Sequence, residues 1–171
     1  MNLQELIKAI EQWAEDRNII KGSKPIDQAM KLFSEFGELA DNVGKGRDCR
    51  DDIGDVFVVA TIICSQSGNS ISEPMFNSNK RLLVDEGLKL NTARLGDNLI
   101  SLALMTQEKR IPCYLYSNIK GYLEIIAETI ETTLEECVQI AYNDIKDRKG
   151  LMHNGVFVKE SDPAYASIES N

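Results

Sequence analysis

Apolar residues recur at helical spacing along most of this chain. Between Asn2 and Arg17 they fall at Leu3, Leu6, Ile7, Ile10, Trp13 and Ala14, one stripe of a 3.6-residue period. Pro25 suits the first turn of a second helix, expected to run to about Val43 with Leu32, Phe33, Phe36, Leu39 and Ala40 along it. Gly44-Lys45-Gly46 reads as a turn. A third helix is expected from Arg47 or Asp48 to about Gln66. Its Val56–Ile63 run is β-branched and would suit a buried strand. It continues from the residues before it, however, and roughly twenty residues are too many for an ordinary strand. Ser67 to Asn79 is rich in turn formers and should end that hairpin. Lys80 to Gln107 is expected to be largely helical with a break near Gly87, and a further helix to run from Tyr114 to about Thr129. Thr133-x-x-Glu136 has the spacing of a capping box. It opens a helix carrying Leu134, Cys137, Val138, Ala141, Tyr142 and Ile145, which Gly150 ends. Val156-Phe157-Val158, after Asn154-Gly155, is a short extended piece: an edge strand, or an arm packed on a partner chain. Residues 161–171 read as a flexible tail. The pattern predicts an all-α fold, one domain over residues 1–160.

Four carboxylates stand out against it. Glu35 and Glu38 are three apart, as are Asp52 and Asp55, so each pair shares a helix face. Counted from Lys45, Glu38 and Asp52 are seven residues away on either side, and Glu35 and Asp55 ten. If the arms fold back on each other, the acids sit at matching heights, about 10 Å and about 15 Å from the turn at ~1.5 Å per residue. An acidic helix residue is ordinarily solvated surface, and the chain has 27 acidic residues. These four differ in bordering the apolar side of both arms. Four facing acids repel, and a cation between them relieves that.

Composition narrows the chemistry. The 171 residues suffice for one domain with its own core. A formal charge of −8 argues against broad binding to nucleic acid or to an anionic membrane, while leaving room for a local basic site. The longest apolar run, Val56 to Cys64, is far short of a membrane span. The N-terminus is amphipathic and charged throughout, unlike a signal peptide. The four cysteines form no Cys-x-x-Cys pair and there is one histidine, so zinc is not expected and free thiols in a reducing cytoplasm are.

A few other residues have a bland and a functional reading. Trp13, the only tryptophan, is either core or a stacking surface for a nucleobase. Gln28, seven residues before Glu35, is either solvated or turned to a ligand. Asn143, Lys146, Arg148 and Lys149 close the last helix, where cations complement the dipole; they could also clamp phosphate oxygens. Leu95-Gly96-Asp97 echoes Ile53-Gly54-Asp55, with Asn91 and Arg94 where carboxylates would stand, as in a decayed repeat or a coincidence.

The order Glu-x-x-Glu, gap, acid-x-x-Asp resembles the MazG-like group of all-α nucleoside triphosphate pyrophosphohydrolases. So does the wording of Gln28-Ala-Met-Lys-Leu-Phe-Ser-Glu-Phe-Gly-Glu-Leu, Ile53-Gly-Asp-Val, Ala141-Tyr-Asn-Asp-Ile-Lys-Asp-Arg-Lys-Gly and Asn154-Gly-Val-Phe-Val-Lys. The likeness covers residues 1 to about 68 and about 120 to 160. It implies a helical bundle of that type, with residues 70–120 as an extra helical insertion. It implies release of pyrophosphate and a nucleoside monophosphate from a nucleoside triphosphate, in nucleotide-pool housecleaning. Glu35, Glu38, Asp52 and Asp55 would then hold Mg²⁺, or Mn²⁺ in its place. Lys146, with Arg148 or Lys149, would contact phosphates, and Asn143 the sugar or a phosphate. Family members are dimers or tetramers, so a homo-oligomer is expected.

Three departures qualify the match. Ser34 stands where the family commonly has an additional Glu, leaving water activation to Asp51 or to a hydroxide on the metal. Asp52 replaces the usual Glu, one methylene shorter. The insertion is unusual in small members and either covers the site or forms a second, decayed copy. The alternative is a catalytically weak relative that binds nucleotide or a partner protein as a regulator.

Overall fold

The computed structural model describes residues 1–67, 80–108 and 111–169. The expected turn-rich stretch lies mostly outside them. The β-branched run folds as helix, within α4 (Arg50–Gln66). From Ile53 to Cys64 every residue except Asp55 is buried. A helix that is apolar all round has to be enclosed, and the other elements supply the enclosure. These are α1 (Leu3–Asp16), α2 (Ile19–Gly22), α3 (Pro25–Lys45), a 3₁₀ turn at Lys80–Leu82, α5 (Leu88–Met105), α6 (Cys113–Thr129) and α7 (Leu134–Ile145). α4 packs most broadly on α7, then on α3, and also meets α1, α2 and α6. α5 and α6 pack on each other; α5 also lies against α3, and α6 against α4 and α7. The fold is all-α. Its one small sheet is an antiparallel hairpin of β1 (Gly150–His153) and β2 (Val156–Lys159). α8 (Tyr165–Glu169), within the stretch read as a tail, packs on β1. No helix among the described residues is long and apolar enough to cross a membrane.

Local chemistry accounts for the starts of α1, α3 and α7. Thr133 Oγ1 accepts from Glu136 N and Glu136 Oε2 from Thr133 N, both at 3.2 Å, so the expected capping box forms. Asn2 and Glu5 form a second box at the start of α1. Pro25 opens α3 as expected.

The turn between the acidic arms lies further along than Gly44-Lys45-Gly46 implied. Gly44 is helical. Gly46, at φ 66°, is the left-handed C-cap that ends α3. α4 begins only at Arg50, because Asp48 turns to bind the Arg50 backbone and guanidinium. The connector is thus centred near Arg47 and Asp48, and the mirrored count from Lys45 does not describe the heights of the acids. The residue that meets Asp52 is Asn42, whose Nδ2 donates to Asp52 Oδ2 at 2.8 Å.

The extended piece near the C-terminus is a strand paired within the chain. Asn154 and Gly155 take φ 51° and 79°, the left-handed pair of a tight hairpin turn, and Asn-Gly is the sequence that favours it. Its first strand, β1, was absent from the sequence reading. The echoing glycines have a packing cause. A Cβ on Gly54 would strike the Cys137 carbonyl oxygen and lie 2.7 Å from Ala141 Cβ; one on Gly96 would lie 2.7 Å from the Phe36 ring. Each marks a close helix approach. Asn91 and Arg94 serve the start of α5, through Asp85 and Glu86.

Gly54→Ala is therefore expected to lower unfolding free energy by about 2–3 kcal/mol through overpacking. Gly44→Ala, with open space around it, should raise it by about 0.5–1 kcal/mol through helix propensity. Urea denaturation of both variants checks the pair.

Candidate functional site

The apolar side of the α3–α4 pair opens into a cavity of about 380 Å³. α3 contributes Gln28, Lys31 and Glu35, at i, i+3 and i+7 on one face. α4 contributes Asp55 and, a turn deeper, Val58, Val59 and Ile62. Trp13 of α1 forms one wall. Arg148, just beyond α7, and Phe157 and Lys159 of β2 form another. One cavity thus combines three carboxylates (Asp27, Glu35 and Asp55), three cations and an aromatic and aliphatic floor.

Its electrostatics centre on Asp55. Burial pushes its carboxyl up to about 7, and the nearby Glu35 and Asp51 push the same way. Arg148 and Lys31 pull against them without prevailing. No hydrogen bond or ion pair holds the Asp55 carboxylate among the described residues. Glu35 is buried and ion-paired with Lys31, one turn earlier on α3. Asp52 is also raised by burial, opposed by the Asn42 hydrogen bond and reinforced by Glu35. Asp51 is raised by burial and by Asp144. These acids share one field of repulsion that protein cations do not neutralise.

Among the described residues, no three Asp, Glu, His or Cys side chains converge as a metal-ligating group. The donor chemistry nevertheless suits a hard divalent cation. The available atoms are carboxylate oxygens, and a cation would displace the proton that Asp55 holds near neutrality.

Of the residues singled out from the sequence, Trp13, Gln28, Glu35, Asp55 and Arg148 line this cavity. Glu38 is exposed and lies outside its lining, as does Asp52. Gln28 is buried, and its Nε2 donates to Ser23 Oγ at 2.9 Å, so part of its role is structural. Asn143 and Lys146 are exposed, bonded to each other at 3.2 Å, and do not reach the cavity. Lys149 lies 3.6 Å from Glu160 and borders an adjoining cleft that shares Arg148, Phe157 and Lys159.

Sequence reasoning missed Lys31, Phe157 and Lys159. Lys31 carried a signal in its i, i+4 relation to Glu35. The two β2 residues carried one in their alternation after Asn-Gly. Arg17, also missed, has no such signal. Its Nε donates to the Arg148 carbonyl at 2.6 Å and its Nη2 to that of Lys146 at 3.1 Å. Its guanidinium lies 5.0 Å from the centre of the Trp13 ring, and its own carbonyl accepts from Met152 N at 2.8 Å. Arg17 therefore holds the end of α7, the start of the hairpin and the Trp13 ring together.

A larger, more open cleft of about 830 Å³ lies by the α3–α4 connector. Its arginines are already engaged, Arg50 with Asp48 at 2.6 Å and Arg47 with Asp41 at 3.7 Å. It lacks an aromatic wall, so the smaller cavity is the better candidate.

No protein-family model matches the chain. A stretch of 68 residues, 39% of the chain, is 52% identical to an uncharacterized 18.2 kDa protein in the rep-hol intergenic region of Haemophilus phage HP1 (strain HP1c1). The match spans 42% of that phage protein's length. No solved structure matches.

The raised Asp55 carboxyl has a consequence for stability. A group whose folded pKa lies above its unfolded value favours folding while protonated, and that contribution is lost as pH rises through the folded value, here about 7. Asp55→Asn should therefore raise the melting temperature in metal-free buffer, more at pH 8 than at pH 6. Thermal scans at the two pH values read it directly, and equal shifts at both would contradict the assignment.

Proposed function

We propose that this chain is a Mg²⁺-dependent nucleoside triphosphate pyrophosphohydrolase, releasing pyrophosphate and a nucleoside monophosphate and acting in nucleotide-pool housecleaning. The observation that carries the reading is a convergence. Trp13, Gln28, Glu35, Asp55 and Arg148 come from separate stretches of sequence and line one cavity. Its contents match the parts of a nucleotide: carboxylates for a cation, Arg148 for phosphate oxygens, and Trp13 for a flat base. The resemblance of the acid pattern and flanking blocks to the MazG-like group supports the same chemistry.

Glu35 and Asp55, which line the cavity, would hold the Mg²⁺, or Mn²⁺; Asp52 and Glu38, the other two expected ligands, lie outside its lining. When bound, the ion neutralises phosphate charge and makes a water more acidic. For its share of the site, Glu35 has to exchange its Lys31 partner, which frees that ammonium for the phosphate chain. Asp51, raised by burial and by Asp144, is the candidate proton acceptor in place of the carboxylate that Ser34 lacks. Hydrolysis adds the water oxygen to one phosphorus and breaks the anhydride bond, the leaving oxygen staying with the other product.

One observation favours the second reading, a nucleotide-binding regulator with weak catalysis. Glu35 is engaged by Lys31, and no carboxylate trio converges among the described residues.

Pyrophosphate release from a panel of ribo- and deoxynucleoside triphosphates, with Mg²⁺ and then with chelator, decides between them. Metal-dependent release is expected. Glu35→Gln and Asp55→Asn should each lower it by more than roughly a hundredfold while the helical fold persists, exceeding the ordinary loss from an outer metal partner. Nucleotide binding without release from any substrate would select the regulator.

A further inference from the structure

The β1–β2 hairpin has features that its size does not require. Gly155, Phe157 and Lys159 all line the cavity. Phe157 and Lys159 are two apart, the spacing that puts residues on one face of a strand, and Gly155 is the turn residue that leads into them. Met152, which pairs with Phe157 across the hairpin, lines the cavity as well. Met152, Phe157 and Lys159, on one face of the hairpin, are therefore turned to the site.

That face is held in place. Met152 N donates to the Arg17 carbonyl at 2.8 Å and Gly155 N to that of Gly22 at 3.1 Å. Asn18 Nδ2 donates to the Met152 carbonyl at 3.1 Å. Three hydrogen bonds from the α1–α2 region thus fix a strand pair too short to be stable alone.

The chemistry of the face points to a ligand with a flat end and an anionic end. The Phe157 and Trp13 rings lie 6.5 Å apart between centroids, with planes 27° apart, the open end of the range for aromatic pairs. The Trp13 indole Nε1 is buried and has no hydrogen-bond partner among the described residues. A buried donor left unpaired is unfavourable, so an acceptor on a ligand would gain by reaching it. Lys159 forms no ion pair among the described residues. The other two cavity cations do have acids, Lys31 with Glu35 and Arg148 at 3.7 Å from Asp144. In a chain of net charge −8, an unpaired ammonium in the cavity wall attracts an anion from solution.

We infer that the Gly150–Lys159 hairpin is the ligand-selecting wall of the cavity: Phe157 and Trp13 hold the base of a nucleotide, and Lys159 takes an oxygen of its phosphate chain. This rests on the nucleotide reading of the cavity, though not on hydrolysis. Phe157 sets the fit to the base; Lys159 distinguishes a nucleotide from a nucleoside.

Trp13 is the only tryptophan, so its fluorescence reports on this wall alone. The full chain is titrated, in Mg²⁺, with common nucleosides and with their triphosphates carrying a methylene bridge between the α and β phosphorus atoms, which cannot be split there. Both ligand types should quench Trp13. Lys159→Gln should weaken the triphosphate analogue about tenfold, as expected for loss of a charge-assisted contact, and leave the nucleoside within about twofold. Phe157→Leu, which keeps bulk in the site and removes the ring, should weaken both about fivefold. The inference is overturned if Lys159→Gln weakens nucleoside and analogue equally or neither, if Phe157→Leu has no effect, or if no ligand quenches at millimolar concentration. Variants with unaltered pyrophosphate release and unaltered binding would remove the wall and leave the reaction standing. The expected binding pattern without pyrophosphate release from true substrates would do the reverse.

Discussion

The burial of α4 is the constraint on which the rest depends. A helix that is apolar on all sides cannot remain at a surface, so α1, α2, α3, α6 and α7 are drawn around it. Gly54 lets α7 approach where any side chain would collide. Within this enclosed stretch sits one carboxylate, Asp55. Burial pushes its carboxyl from the usual carboxylate range up to about 7, which disfavours the charged form. Burying one Val, Ile or Phe contributes about 1.5–3 kcal/mol. The surrounding apolar packing therefore readily carries a strained charge, and the fold can keep an acid where stability alone would remove it.

The acids around Asp55 are only partly compensated from within. Lys31 answers Glu35, and Asn42 supports Asp52, but Asp51, Asp52 and Asp55 all remain raised. A perturbed carboxylate in a cleft, as Asp55 is, marks a candidate functional group. Here the cations reach the cavity from other elements, Arg148 from beyond α7 and Lys159 from β2. Charge of each sign thus converges on one space from separate stretches of sequence.

Arg17 links these parts. It binds the carbonyls at the end of α7, covers the Trp13 ring and receives Met152 of β1. Through it, the position of the hairpin wall depends on the end of α1. The cavity is accordingly a product of three-dimensional packing, with no single helix containing it.

The helices were legible in the sequence because apolar period and capping residues are local signals. The stripe of α1, Pro25 at the start of α3 and the Thr133–Glu136 box each act within a few residues. The choice of helix for Val56–Ile63 rested instead on the length of the segment containing it. The candidate acids were legible too, by spacing and by resemblance to a known group. The turn centre was misjudged because Gly44 is compatible with a helix, and the α4 start was decided by Asp48 folding back onto Arg50. β1 was overlooked although Asn154-Gly155 announced a hairpin. What the sequence determined by itself was thus the helical elements and a set of candidate residues. Only the tertiary structure decided that Glu35 and Asp55, but not Glu38 or Asp52, line the cavity, and that Lys31, Phe157 and Lys159 join them. The physical reason is that periodicity assigns a residue to a face, whereas what that face meets depends on how helices far apart in sequence pack around α4.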